Sequence, residues 1–451
     1  MKRTFLICTI LYLFIARTDA QTKDRTYQFT LQQAIEYAYG HQSAMLNVLL
    51  DEQSANARVN EIKGQGFPQI NGSASVLDYV KLPVTVLPGS FFPPGSGIPE
   101  NALVPFSFGT RYTSSAGINV SQLLIDPTYF IGLQATHSVR DLAQKNTIRT
   151  RIETAVAVSK AYYGVLVNSA RMQLINANVD RLKKLSDDTK ALFDNGFSEK
   201  IDVDRIVLTY NNAVTEKENT SRLMELSNYI LKYQIGINIY ATLNLTDSLN
   251  AEQVKNMTAS AEHADATKRI EYSILQTNMR LHYLDMKRDQ VGYIPSLSLN
   301  GSLSTLAYRN DEDIFSGRQP WYPTGYFGAS LTWSLFDGFQ KHYKAQQAKI
   351  AMQQTENDMN NLENGLNLEV TTSSVTLQNA LTSLNTQEQN LNLANEVSSV
   401  SKIKYNQGVG SNIEVIDAET SLKEAQTNYY NALYEALVAK VDLDKALGNI
   451  K

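Results

Sequence analysis

The sequence predicts a mostly helical protein with a smaller β part, built as a tandem duplication. Three observations carry this. First, all eleven prolines of the 451-residue chain lie between Pro68 and Pro127 or between Pro295 and Pro323. Thr128–Tyr293 and Thr324–Lys451 are thus free of the residue that breaks helix interiors at a cost of about 3 kcal/mol. Second, landmarks recur in order at nearly one spacing. Gly117–Asp126 matches Gly328–Asp337, an offset of 211 from Gly117 to Gly328. Phe193-Asp-Asn-Gly196 with Ile201-Asp202-Val203 matches Tyr405-Asn-Gln-Gly408 with Ile413-Glu414-Val415, an offset of 212 from Phe193 to Tyr405. Phe67–Ser73 resembles Ile294–Ser302 with two extra residues, and an insertion of two keeps strand parity. Third, the proline-bearing segments alternate apolar and polar residues with period two.

The elements follow in order. Lys2 and Arg3 precede the apolar run Phe5–Ile15, and Thr18 and Ala20 stand where a signal peptidase reads small residues. Residues 1–20 are therefore expected to be a cleaved signal peptide, because the run is too short to span a membrane. Cys8, the only cysteine, lies inside it, so the mature chain has no thiol for a disulfide, a metal or a nucleophile. Cleavage would change the net charge from −4 to −6, which argues against a nucleic-acid partner.

The first repeat is expected over 21–240, a connecting segment over 241–262 and the second repeat over 263–451. Each opens with a short helix, Leu31–Gln65 or about Ala264–Val291, and Thr30 with Gln33 has capping-box spacing. Two strands follow in each, separated by loops over 79–111 and 308–325. Long helices are expected over 128–193 and 339–405. Asp126-Pro127 is an N-cap with proline at the first helical position, and Asp337-Gly338 occupies the equivalent place. At 1.5 Å per residue each would run about 100 Å. Glycine turns over 194–198 and 406–411 lead to return helices, Ser198–Ile235 and Ser411–Leu447. Leu377, Leu384 and Leu391 recur every seven residues, as coiled-coil packing requires.

The strands put Ile70, Gly72, Ala74 and Val76 opposite Asn71, Ser73 and Ser75, and Leu297, Leu299 and Leu303 opposite Ser298, Asn300 and Ser302. Phe327, Ala329, Leu331 and Trp333 share a face against Ser330, Thr332 and Ser334. Such strands suit a membrane barrel with a polar lining; a soluble sheet with one wet face would read similarly. Trp321 and Trp333, the only tryptophans, stand as an interfacial belt would have them.

With these residues in place the chain resembles the TolC-like outer membrane efflux protein family over essentially its whole mature length. Leu124-Ile-Asp126 and Leu335-Phe-Asp337-Gly338 carry the resemblance, with the two glycine-turn motifs. The resemblance implies a homotrimer in the outer membrane of a Gram-negative bacterium. Four strands per subunit would make one twelve-stranded barrel, continued by a periplasmic helical coiled-coil tunnel. It implies an exit duct for small molecules or secreted polypeptides, docked to a periplasmic adaptor and through it to an inner-membrane pump.

By the same resemblance, Glu414 and Asp417 ring the constriction. They stand at i and i+3 and can share a helix face, though Ser411 and Glu414 also have capping-box spacing. Asp202 and Tyr405 match latch residues, while the latch arginine is replaced by Gly410; Lys200 or Lys404 could substitute. Gly196, Phe197, Gly408 and Val409 match the turns that meet the adaptor. The five histidines are dispersed without metal-ligand spacing, and no nucleophile or phosphate-loop motif is present, so neither an enzyme nor a cofactor is expected. The competing reading is a structural or adhesive coiled-coil protein of the envelope.

Overall fold

The computed structural model describes residues 26–249, 265–313 and 318–450. The expected signal peptide, much of the connecting segment and part of the second loop lie outside these residues. In chain order the strands and helices are β1 (Thr26–Phe29), α1 (Leu31–His41), α2 (Ser43–Gly64), β2 (Gln69–Asp78), β3 (Val84–Pro88), β4 (Leu103–Ser107), β5 (Tyr112–Ile125) and α3 (Pro127–Asp194). Then come α4 (Lys200–Ile235), β6 (Thr242–Leu245), α5 (Ile270–Val291), β7 (Ser296–Arg309), β8 (Tyr322–Thr332), α6 (Gln340–Asn406) and α7 (Asn412–Ala446). No helix among the described residues is long and apolar enough to cross a membrane. The chain divides into two compact units, Met1–Leu50 with Lys145–Ser273 and Asn360–Lys451, and Asp51–Gln144 with Ile274–Met359.

The second unit is built on an antiparallel sheet in the order β2-β5-β7-β8. Its register aligns Ile70, Val120, Gly301 and Phe327 across the strands, and Gly72, Ile118, Leu303 and Gly325 in the next row of the same face. Asn71, Asn119, Ser302 and Tyr326 form a row of the opposite face. The sheet therefore has one apolar and one polar face, and hydroxyls pair across the polar one. Ser75 meets Ser115 at 2.8 Å and Ser304 meets Thr324 at 2.9 Å. Both edge strands, β2 and β8, lack a partner on their outer side among the described residues.

Three expectations change here. The loop 79–111 contains a hairpin, β3 paired with β4, in which Pro88 and Pro105 sit where no ladder N–H is needed. Trp333 lies one residue beyond β8 rather than on a strand, so the two tryptophans flank β8 at either end. The second strand-to-helix turn is not a copy of the first. The Asp126 Oδ1 accepts from the Thr128 and Tyr129 amides at 2.7 and 3.1 Å, whereas Asp337 accepts from the Lys341 amide at 3.1 Å. Gly338 and Phe339 both take left-handed backbone, φ 66 and 64, before α6 begins. That conformation costs a non-glycine residue about 1–2 kcal/mol.

At the far end of β7, Arg309 is buried and grips a loop by its backbone. It donates to the carbonyls of Tyr308 at 2.9 Å, Pro320 at 3.2 Å and Gln319 at 3.2 Å. The Trp321 ring centroid lies 6.0 Å from its guanidinium carbon.

The first unit is a helix bundle. Val167 on α3, Leu377 and Leu384 on α6, and Leu433, Leu437 and Leu443 on α7 share one core, so the heptad leucines 377 and 384 are buried. Val158 and Tyr162 on α3, Ala34 and Ala38 on α1, and Leu231 and Ile235 on α4 form another. The expected single helix over 31–65 is broken at Gln42, whose backbone is extended and whose side chain accepts from the Met45 amide at 3.1 Å. The break lies against the end of α4. Gly236 has φ 83, and a Cβ there would fall 2.6 Å from the His41 carbonyl oxygen. The sequence reading also missed the parallel pair β1–β6, which runs from Thr26 with Thr242 to Phe29 with Leu245.

Candidate functional site

The candidate site is the part of the first unit where α3 turns into α4 and α6 into α7. Each turn needs a glycine at its left-handed position. Gly196 has φ 81 and Gly408 has φ 73. The next amides close the turns, Phe197 N–H to the Leu192 carbonyl at 2.8 Å and Val409 N–H to the Lys404 carbonyl at 3.1 Å. The following side chains are left in solvent: Phe197 is 82% exposed and Val409 76%.

The two turns are tied together. Asn412, buried at the first position of α7, donates from Nδ2 to the Asp202 carbonyl at 3.0 Å. Tyr405 Oη lies 3.5 Å from Thr189 Oγ1. Beneath them Val415 packs with Val179, Leu182, Leu185 and Ile206, so α3, α4 and α7 share one core there.

The Asp202 carboxylate accepts from Ser198 Oγ of its own turn at 3.3 Å, and Lys200 and Lys404 are exposed. Gly410 has a steric reason to be glycine: a Cβ there would lie 2.9 Å from Lys404 Cβ and 3.0 Å from the Tyr405 amide nitrogen.

Beside Arg181 on α3, a carboxylate from α7 is buried among the helices. Glu419, 2% exposed, accepts from Ser398 Oγ at 2.6 Å and faces Lys402 Nζ at 2.9 Å and Arg181 Nη2 at 3.5 Å. Burial pushes its carboxyl up, but the Ser398 hydroxyl, Lys402 and Arg181 outweigh burial and hold it below the usual carboxylate range. A second carboxylate, Glu216, joins Arg171 at 3.0 Å and Lys423 at 3.9 Å. Neither Glu419 nor Asn412 was singled out from sequence. The available signal was an acid in phase with Val415, Ala418 and Leu422, the buried stripe of α7.

Glu414 and Asp417 are exposed on α7, and with Ser421 and Glu424 they form one stripe that carries no cation. The Glu414 amide donates to Ser411 Oγ at 3.3 Å, so Ser411 caps the helix while the Glu414 carboxylate stays free to face solvent. Exposed apolar side chains run along α6 at Leu393, Val397 and Val400, and along α4 at Leu223, Leu226 and Ile230.

Residues 285–449 match the family model described as Outer membrane efflux protein. Outer membrane protein TolC of Vibrio cholerae is 22% identical over 342 residues, which cover 74% of this chain and 77% of that protein. Outer membrane protein TolC of Escherichia coli is 21% identical over 416 residues, 89% of this chain and 78% of that protein. Among solved structures, the Campylobacter jejuni CmeC outer membrane channel superposes with a TM-score of 0.72 at 14% identity, covering 93% of this chain and 85% of that one.

Proposed function

We infer, from a chain that is a TolC-like outer membrane efflux protein by its matched residues 285–449 and its fold, that it is an efflux channel of a Gram-negative outer membrane. In this reading it is the exit duct of a tripartite export system. Three copies close a twelve-stranded barrel, and their helices line a tunnel to a periplasmic adaptor and an inner-membrane pump. The observation that carries the reading is the open sheet, polar on one face, apolar on the other and unpaired at both edges. Four strands cannot close a barrel alone, since the smallest bacterial barrels have about eight. The exposed apolar runs on α4 and α6 are what neighbouring copies would cover. The recurrence of strand, strand, long helix, glycine turn and return helix supports a tandem duplication. Trp321 and Trp333, one at each end of β8, fit the two edges of the bilayer.

The tip carries the mechanism in this reading. Asp417 and Glu414 would face the axis, and three copies would set six carboxylates in the path. Cations would be favoured and divalent ions would block. Asn412 and Tyr405 hold the two hairpins together in place of the Asp202 latch, and an adaptor would dock at Gly196, Phe197, Gly408 and Val409. Planar-bilayer recording tests the whole reading, with mass measurement of the detergent-solubilised protein. Three copies and discrete cation-selective conductance are expected, with Asp417→Ala raising conductance and weakening divalent block. A stable monomer without conductance would instead fit the structural or adhesive reading.

A further inference from the structure

The turn between β8 and α6 exposes more apolar surface than a turn needs. Trp333 is 58% exposed, Phe336 73%, Phe339 59% and Tyr343 58%. The backbone holds them there against its own preference, through the left-handed Phe339. The turn is nevertheless fixed. Trp333 Nε1 donates to the Tyr293 carbonyl at 3.0 Å, and Lys341 Nζ bonds Ser334 Oγ at 2.9 Å, pairs with Asp337 at 3.3 Å and lies over the Tyr293 ring. Beside these aromatics, α6 opens without an acidic residue. Gln340–Thr355 holds Lys341, His342, Lys344 and Lys349 and no carboxylate. The matching start of α3 has no lysine, arginine or acid before Arg140, so the lysines are a property of the second half alone.

Two of these lysines border a cleft of about 590 Å³, lined by Lys341, His342 and Lys349 on α6, by Met286 and Gln290 on α5 and by Tyr293 just after it. Nearby carboxylates are committed or few. Asp285 pairs with Arg288 at 3.3 Å and Asp337 with Lys341, which leaves Asp289 on the α5 side. Lys287 lies over the Tyr283 ring and adds to the positive side.

We propose that this turn and cleft seat an anionic phospholipid of the bilayer's periplasmic leaflet, its phosphate beside Lys341 and Lys349, the two lysines that line the cleft, and its acyl chains against Trp333, Phe336 and Phe339. The proposal rests on the outer-membrane reading and deepens it. Aromatic rings beside lysines match the boundary where headgroup phosphates meet hydrocarbon. That pairing of charge and apolar surface favours lipid over a second copy of the chain, whose equivalent first-half turn offers only Asp126, already engaged by the Thr128 and Tyr129 amides.

The two tryptophans make the test clean. Trp321→Phe leaves Trp333 as the sole tryptophan. Full-length protein is reconstituted into phosphatidylethanolamine vesicles carrying brominated phosphatidylglycerol or, in a parallel set, brominated phosphatidylethanolamine. Conductance is recorded in both sets. The bromo-phosphatidylglycerol set should quench Trp333 more strongly. Adding Lys349→Gln should lower the relative affinity for phosphatidylglycerol about fivefold, whereas Lys344→Gln, outside the cleft, should lower it less, with conductance retained in both. Equal quenching by both lipids, with channels present, would overturn the anionic seat while leaving the channel reading intact. Absent quenching, with channels present, would mean that another copy covers the turn, and would also overturn it. Failure to insert at all would remove the outer-membrane reading and this proposal with it.

Discussion

Gly410 fixes the tight packing of the turn between α6 and α7. An arginine there would complete the ion pair that the family resemblance leads one to expect, and Gly410→Arg would seem a natural restoration. The turn has no room for it, because its Cβ would meet Lys404 Cβ at 2.9 Å, near the backbone where nothing can swing aside. Gly410→Arg is therefore expected to destabilise the helical unit by about 1–3 kcal/mol, seen as a lower midpoint for thermal loss of helical circular dichroism. Glu419 is the stronger tie. Glu419→Gln should cost about 1–2 kcal/mol near neutral pH, less than a fully buried charged contact, because Lys402 and Arg181 stay 28% and 37% exposed. The sign of its pH dependence follows from a carboxyl held below its ordinary value. Its contribution is complete above the unfolded carboxylate range, about 4.3, and is lost as pH falls through the lower folded value. The gap in melting temperature between wild type and Glu419→Gln should thus be constant from pH 7 to 5 and shrink below about 4. A gap that widens on acidification would mean that Glu419 is not ionised in the fold.

At the scale of elements, Gly236 shows where the sequence stops being readable. Long helices could be read because proline is absent over 128–293, and strands because a two-residue alternation survives in Leu297–Leu303 and Phe327–Leu331. The break at Gln42 could not, since no proline stands near it and the residue packed against it, Gly236, lies almost two hundred residues away. The β1–β6 pair was hidden for the same reason: two four-residue strands carry too little pattern, and only the fold brings Thr26 to Thr242. Trp333 was placed on a strand because its alternation continues in sequence after the ladder has ended at Thr332. Gly236→Ala tests this long-range contact. It adds about 1–2 kcal/mol of left-handed strain and about 1–3 kcal/mol of overpacking against His41. Limited proteolysis should then cut the α1–α2 junction faster than in wild type; an unchanged rate would show that Gly236 does not set the break.

For the whole molecule, the edges of β2 and β8, unpaired among the described residues, are the features that a single chain leaves unfinished. The expected mature sequence has no cysteine, so cysteine pairs can report assembly without background. One cysteine on β2, at Ser73 or Ser75, combined with a scan along β8 from Thr324 to Thr332, should give disulfide-linked ladders that end at three copies on denaturing gels. Crosslinks at scattered β8 positions, or ladders that run past three, would argue against a closed barrel. Arg309 has a consequence of a different kind. It holds the segment after β7 by the carbonyls of Tyr308, Gln319 and Pro320, and a carbonyl is the same in every residue. Such an anchor is blind to the identity of the side chains it fastens. The segment can be rewritten by mutation, or lengthened by a grafted peptide, with its foot unchanged. A loop under pressure from viruses or antibodies could evolve on that footing without loosening the sheet that carries it.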